Sequence, residues 1–482
     1  MKKKSIKLNY IFNTGYQVML LASALITTPY ISRVLMADGV GTISYVESIV
    51  SYFVLFATMG ISTYGQREIS YVQDSKYERS VIFWNTKLFT IAITSVVSIV
   101  YFLFSLNNEH SLIFLIYSLN LLSVAMDVTW FFQGLEEFYK IVAYNMVFRI
   151  LNIICIFLFV KGPEDLFKYA LIMVMTLLLG HVALVVNLPK YLVKIKKEDI
   201  HPFKDFKVIW ALFVPTIAVQ IYTVLDKTMI GVITDSAFEN GYYEQAIKIS
   251  RIALTLVASL GTVMLPRIGY HFQRNEMKEV KSLIYGSYRF VWFLGIPLCF
   301  GLAMVSDNLT PWFFGPGYDK VADLLKILAF LVVIIGISNV TGMQYLIPTK
   351  REKLYSVSVI SGACTNFVLN MILISLFQST GAAIASVTAE LVVTVVQIAS
   401  VRKELSPLRI LSEGKNYFIA GIVMSVLLYF ENMVLISSAL NTILMIGTGA
   451  VAYFSVLLLL RDEFLVSNIK TILSKLPIGN TK

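Results

Sequence analysis

The sequence predicts an all-α, polytopic integral membrane protein with about fourteen transmembrane helices, and three observations carry that reading. Hydrophobic residues make up 57% of the 482 positions, charged residues only 15%, and the mean hydropathy is +0.73, more apolar surface than a soluble core can hide. Apolar stretches of about 20 residues, the length that crosses a bilayer, follow one another almost end to end. Positive charge is concentrated in every second gap between them.

In chain order the spans are expected near residues 9–31, 43–62, 81–105, 111–133, 141–160, 166–187, 208–233, 246–266, 284–305, 322–346, 354–377, 381–401, 416–434 and 436–460. The first follows Lys2, Lys3, Lys4 and Lys7, and with Ala22-Ser23-Ala24 near its end it has the outline of a signal peptide. Its apolar run is longer than a signal h-region and more spans follow, which makes it an uncleaved first transmembrane helix. The remaining spans are separated by gaps that sort by charge. Lys and Arg number 4 at the N-terminus and then 3, 1, 6, 4, 3, 4 and 4 in the alternate gaps and the C-terminal tail, 29 altogether. The seven opposite gaps hold only Arg33, Lys161 and Lys320, and they include acidic residues such as Asp235, Glu239 and Glu244. By the positive-inside rule both termini are cytoplasmic, in a cell membrane crossed many times. The net charge of +10 is therefore a topology signal and not the mark of a nucleic-acid partner.

Cys155, Cys299 and Cys364 fall inside spans, so they form no disulfide framework and have no metal-ligand spacing. Glycine-rich nucleotide loops ending in Lys-Ser or Lys-Thr are absent, so no ATP hydrolysis is expected of this chain. Neither a cofactor nor a catalytic residue is expected, and the chain reads as a transporter, not an enzyme.

Helix breakers and intramembrane charges carry the functional information. Pro29, Pro215 and Pro297 are expected to interrupt helices, which a bilayer tolerates where neighbouring groups or water satisfy the freed carbonyls. Eight basic residues lie within spans, and at roughly 2.5–3.5 kcal/mol each near mid-bilayer they must face a cavity, pair or snorkel. Lys168, Lys248 and Lys326 sit close to helix ends, where snorkelling suffices. Arg149 lies deep in its span, with Lys87 and Arg289 nearer the cytoplasmic side and Arg251, Arg33 and Lys227 nearer the other face. Those six are the candidate substrate-binding residues of a cationic path, while Asp127, Asp226, Glu47 and Glu390 are candidates for coupling to a proton or sodium ion. Asp226 beside Lys227 is equally well a local charge pair, and Asp127 a neutralising partner for an arginine. His181 is expected to make an interhelical hydrogen bond. Guanidinium groups hold phosphate oxygens bidentately, so an anionic phosphate or diphosphate is the indicated substrate chemistry. A lipid-linked sugar, a nucleotide sugar and a free anion all satisfy it.

The segment Thr28-Pro29-Tyr30-Ile31-Ser32-Arg33, followed by Gly39-Val40-Gly41, Tyr45, Gly60-Ile61 and Tyr64-Gly65-Gln66-Arg67-Glu68-Ile69-Ser70, resembles the opening of bacterial polysaccharide transporters. Asp127-Val128-Thr129-Trp130-Phe131-Phe132-Gln133-Gly134-Leu135-Glu136 and Phe159-Val160-Lys161 with Asp165 and Tyr169 continue that resemblance. These are the oligosaccharide-lipid flippases of the multidrug/oligosaccharidyl-lipid/polysaccharide exporter superfamily. The resemblance implies two pseudo-symmetric six-helix bundles, 1–190 and 208–402, joined by a basic cytoplasmic linker at 191–207 and followed by two further helices and a tail at 403–482. A faint internal echo agrees: Arg33, Gly39-Val40-Gly41 and Tyr45 in one half, Asp226-Lys227 and Asn240-Gly241-Tyr242 in the other. It also implies flipping of undecaprenyl-diphosphate-linked oligosaccharide units to the outer leaflet for capsule, O-antigen or exopolysaccharide assembly. The partners implied are that lipid-linked substrate, membrane lipids and a polymerase of the same pathway. A flippase for the peptidoglycan precursor is the rival reading. A drug or cation exporter of the same superfamily fits less well, because about twelve spans and an acidic cavity are expected there.

Overall fold

The computed structural model describes residues 6–468, so Lys2, Lys3, Lys4 and the tail lysines Lys470, Lys475 and Lys482 lie outside the described residues, as does the side chain of Pro215. The described residues are mostly helical, with no strand among them. Among the described residues, twelve stretches are long and apolar enough to cross a membrane. One of them, Gly15–Tyr71, contains two expected spans, and the helix Phe206–Thr234 over the expected seventh span is additional to the twelve. The protein is thus a polytopic, all-α membrane protein.

By contacts the chain divides into two units, Met1–Gly241 and Tyr242–Lys482. The first contains α1 (Ile6–Thr58), α2 (Ile61–Tyr71), α3 (Lys76–Leu106), α4 (Ser111–Met126), α5 (Thr129–Gly134), α6 (Phe138–Phe159), α7 (Leu166–Val185), α8 (Phe206–Thr234) and the first residues of α9 (Ala237–Gln273). The basic segment 191–207 does not hang free of it. Val193 N donates to Ser80 Oγ (2.9 Å), Asn85 Nδ2 donates to Asp199 O (2.8 Å), and Tyr64 Oη donates to Asp205 Oδ2 (2.7 Å). These bonds lace the connector back onto α2 and α3.

Breaks in the helices fall away from the prolines. α1 continues through Pro29 and turns at Met36, whose φ of 57° and ψ of 176° are open mainly to glycine. The adjacent glycines are committed elsewhere. A Cβ on Gly41 would lie 1.7 Å from Ala237 O, and one on Gly241 would lie 2.0 Å from Ala37 O. Ala37-x-x-x-Gly41 of α1 and Ala237-x-x-x-Gly241 of α9 therefore pack backbone to backbone, the small-residue contact that lets membrane helices approach closely. The expected helix 111–133 is likewise broken, at Asp127 and Val128 between α4 and α5.

The second unit continues α9 and adds α10 (Met277–Phe314), α11 (Asp319–Leu328), α12 (Phe330–Asn339) ending in a π-helical turn at Val340–Leu346, α13 (Glu352–Phe377), α14 (Ser379–Val401), α15 (Pro407–Ser412), α16 (Lys415–Val434) and α17 (Ala439–Leu459). α10 contains Pro297 without interruption. Proline has no N–H to give the carbonyl four residues earlier, that of Phe293, and Tyr453 Oη from α17 donates to it instead at 2.9 Å. A buried core around Val291, Trp292, Ile296, Tyr417, Met424 and Tyr453 joins α10 to α16 and α17.

Candidate functional site

Trp130, Phe131 and Phe132, the centre of the most specific sequence motif, are fully buried and form a packing unit. Trp130 stacks on Phe83 and lies where a Cβ on Gly65 would come within 2.4 Å, while a Cβ on Gly134 would meet Ile69 at 2.7 Å. The aromatic motif thereby locks α5 onto α2 and α3. Tyr30 and Lys161, from two other motif segments, also act structurally: Tyr30 Oη donates to Val160 O (2.6 Å), and Lys161 N donates to Asp165 Oδ2 (2.7 Å).

That locked framework opens a polar cavity of about 1090 Å³ in the first unit. Its wall is rich in amides. Gln17 comes from α1, Gln66 and Arg67 from α2, Gln73 from the turn after it, Gln133 from the end of α5, and Asn145 from α6. Primary amides offer both donors and acceptors, which suits hydroxyl-rich ligands. The Arg67 guanidinium is held by Glu68 Oε1, with Nε at 3.0 Å and Nη2 at 2.8 Å. Beyond Asn145, one turn deeper on the same face of α6, stands Arg149. It is half-buried, and its Nε donates to Ser23 Oγ of α1 at 2.8 Å. Among the described residues no acidic group pairs with its two Nη nitrogens, so the guanidinium is positioned but not neutralised.

The other expected site residues are dispersed. Lys87 is buried, and its Nζ donates to Asp127 O at 3.1 Å, the carbonyl exposed by the α4/α5 break. It lines a second, apolar groove of about 1230 Å³ that runs along α3 and α4, with Trp84, Ile99, Phe102 and Lys194. Arg33 is exposed next to the break at Met36, and Lys227 is half-buried on α8, its carbonyl accepting from Asn240 Nδ2 at 2.8 Å. In the second unit, Arg251 is exposed on α9, and Arg289 is clamped by Glu413, with Nε at 2.7 Å and Nη2 at 2.6 Å from Oε2.

Asp127 Oδ1 accepts from Thr129 N (2.8 Å) at the start of α5, and faces His181 Nε2 at 3.9 Å. His181 bridges to α4 through Ser123 Oγ (2.8 Å), the interhelical bond expected of it. Glu47, half-buried on the second part of α1, accepts from Tyr117 Oη at 2.8 Å. Asp226 and Glu390 are half-buried on α8 and α14. The amides of the cavity went unnoticed as site residues, although Gln66, Arg67 and Gln133 stand inside the very motifs that carry the family resemblance.

Comparisons with known proteins agree with this architecture. The family model described as "Polysaccharide biosynthesis protein" matches residues 8–272, more than half of the chain. A protein of Escherichia coli (strain K12) named "Putative O-antigen transporter" is 24% identical over 417 residues, covering 83% of this chain and 97% of the relative. Among solved structures, the Lipid II flippase MurJ in an inward closed conformation superposes with a TM-score of 0.72 at 18% identity, covering 95% of this chain and 99% of that one. An inward-facing multidrug resistance MATE family transporter of the MOP superfamily superposes at 0.59 and 10% identity, over 81% and 98% of the two chains. With residues 8–272 matched, from the first helix through α9, the chain belongs to the polysaccharide biosynthesis protein family.

Proposed function

We propose that the protein is a flippase that moves undecaprenyl-diphosphate-linked oligosaccharide units from the inner to the outer leaflet of the cytoplasmic membrane. One observation carries the reading: an amide-lined cavity in the first unit with the unneutralised guanidinium of Arg149 standing just beyond it. Amides contact sugar hydroxyls, and a guanidinium fork matches diphosphate oxygens without losing its charge. A sugar diphosphate cannot cross hydrocarbon unaided, whereas its polyprenyl tail can remain in lipid. The relative named as an O-antigen transporter supports a saccharide cargo.

In this reading the cavity lies toward the cytoplasm, because the gaps 63–80 and 134–140 that border it belong to the basic set. Cargo enters there, Arg149 takes the diphosphate, and Arg33 and Lys227 serve its later passage together with Arg251. Transport follows an alternating-access cycle. Coupling to a proton or sodium ion falls to Asp127, Asp226, Glu47 or Glu390. Export then feeds a polymerase that builds capsule, O-antigen or a related polymer.

The test is to delete the gene and measure lipid-linked oligosaccharide in the inner leaflet, complementing with Arg149→Ala and Arg149→Lys. Accumulation that wild type clears and Arg149→Ala does not, with equal protein in the membrane, is the expected result. Arg149→Lys should restore part of the flux, since charge returns without the fork. If the peptidoglycan precursor accumulates instead, the cargo is that rival lipid. If no diphosphate-linked intermediate accumulates, the flippase reading fails.

A further inference from the structure

The second unit has a cleft of about 530 Å³ where the start of α10 meets the segment between α14 and α15. Five basic residues line it, Lys278, Lys281, Arg402, Lys403 and Arg409, against a single acid, Glu404. That acid is already engaged. Its Oε1 accepts from Arg351 Nη1 at 2.8 Å, its Oε2 lies 2.8 Å from the same nitrogen, and Tyr345 Oη donates to it as well. Arg409 has only a distant carboxylate, Glu413 at 3.7 Å, and stacks on the Tyr285 ring at 4.1 Å. Like charges gathered around one small cleft repel. A bound anion would relieve that repulsion.

Two further features point to the kind of anion. Tyr285 is buried, with 8% exposure, and lines the cleft. Its oxygen accepts from Ser406 N at 2.9 Å, so its hydroxyl proton remains to be donated. Beside the cleft, Leu408 and Leu411 lie three residues apart on α15 and are 80% and 60% exposed, so one face of that short helix presents leucine outward. Basic groups with outward apolar side chains next to them are the pattern of an interfacial lipid contact.

We propose that this cleft binds the phosphate of an anionic phospholipid headgroup, with Leu408 and Leu411 lying in the acyl region beside it. Lys281, Arg402 and Lys403 supply the charge and Tyr285 a neutral hydrogen bond. None of its residues lines the amide-rich cavity or belongs to the proposed cargo path. The charge pattern assigns both bordering gaps, 267–283 and 402–415, to the cytoplasmic side, where the leaflet's anionic lipids carry a negative surface potential.

The purified full-length protein would be delipidated and titrated with phosphatidylglycerol, phosphatidylcholine or inorganic phosphate, reading bound ligand by native mass spectrometry. We expect phosphatidylglycerol to bind more tightly than phosphatidylcholine. The combined change Lys281→Gln, Arg402→Gln and Lys403→Gln should weaken phosphatidylglycerol by roughly tenfold or more, the loss of at least one charge-assisted hydrogen bond. Neutralising Lys194, Lys196 and Lys197 in the connector should leave it unchanged. Leu408→Ser with Leu411→Ser should weaken the lipid while sparing inorganic phosphate, and Tyr285→Phe provides a milder variant that keeps every charge. Equal lipid binding by the triple variant and wild type overturns the proposal. So does inorganic phosphate binding as tightly as the lipid, because the source would then be a soluble anion.

Discussion

Arg149 and Arg289 are equivalent candidates in the sequence, each a guanidinium several residues inside an apolar span, yet their surroundings differ. Arg289 donates through Nε to Glu413 and pairs with it through Nη2, while Arg149 is positioned by a serine and no acid neutralises it among the described residues. Arg289→Ala should therefore destabilise the protein by about 1.5–3 kcal/mol, the usual loss for a hydrogen bond to a charged group. Arg149→Ala should leave thermal stability nearly unchanged while abolishing flipping. Melting in detergent alongside the inner-leaflet lipid assay separates the two, and a stable, inactive Arg289→Ala would contradict this division. Glu404 makes a second residue-scale prediction. Burial works against its charge, but the Tyr345 hydroxyl and Arg351 guanidinium outweigh burial and hold its carboxyl below the ordinary value of 4.5. A depressed carboxylate contributes stability above its unfolded pKa and loses it as pH falls through the folded one. The melting difference between wild type and Glu404→Gln should thus be constant above about pH 4.5 and shrink below it. A difference that grows in acid would be the wrong sign.

Among the elements, α10 shows how a broken backbone pattern is repaired from outside. Pro297 leaves the Phe293 carbonyl without its helical donor, and Tyr453 of α17 replaces it. Tyr453→Phe should destabilise by about 1–3 kcal/mol, since a buried acceptor is then unsatisfied. In a Pro297→Ala background, which restores the intrahelical N–H, the same change should have little effect. Additive losses in the double-mutant cycle would show that the two positions do not share that carbonyl. The aromatic motif works as an element too. Trp130 against Gly65 and Gly134 against Ile69 set where α2 and α5 sit, and so where Gln66, Arg67 and Gln133 meet in the cavity wall. The family signature is legible because it packs, and the site follows from the packing.

For the whole molecule, charge alternation predicts which ends of the helices face the cytoplasm. Single cysteines replacing Lys196 and Lys403 should react with an impermeant maleimide only in inside-out vesicles, and those replacing Asn108 and Lys320 only in right-side-out vesicles, with Cys155, Cys299 and Cys364 first replaced by Ser. Reversed labelling would invert the topology. The all-helical membrane class and the family were legible in the sequence, because hydropathy over about 20 residues and the residues of a local motif are one-dimensional properties. The break at Met36, the mutual contact of Gly41 with Ala237 and Gly241 with Ala37, the clamp of Glu413 on Arg289 and the amide-lined cavity were decided only by tertiary structure. Spans that are apolar nearly all round carry little periodicity to show which way a polar side chain turns. A charge within such a span announces that it needs a partner, and which partner it meets depends on the rotation of its helix and on neighbours that are remote in the chain.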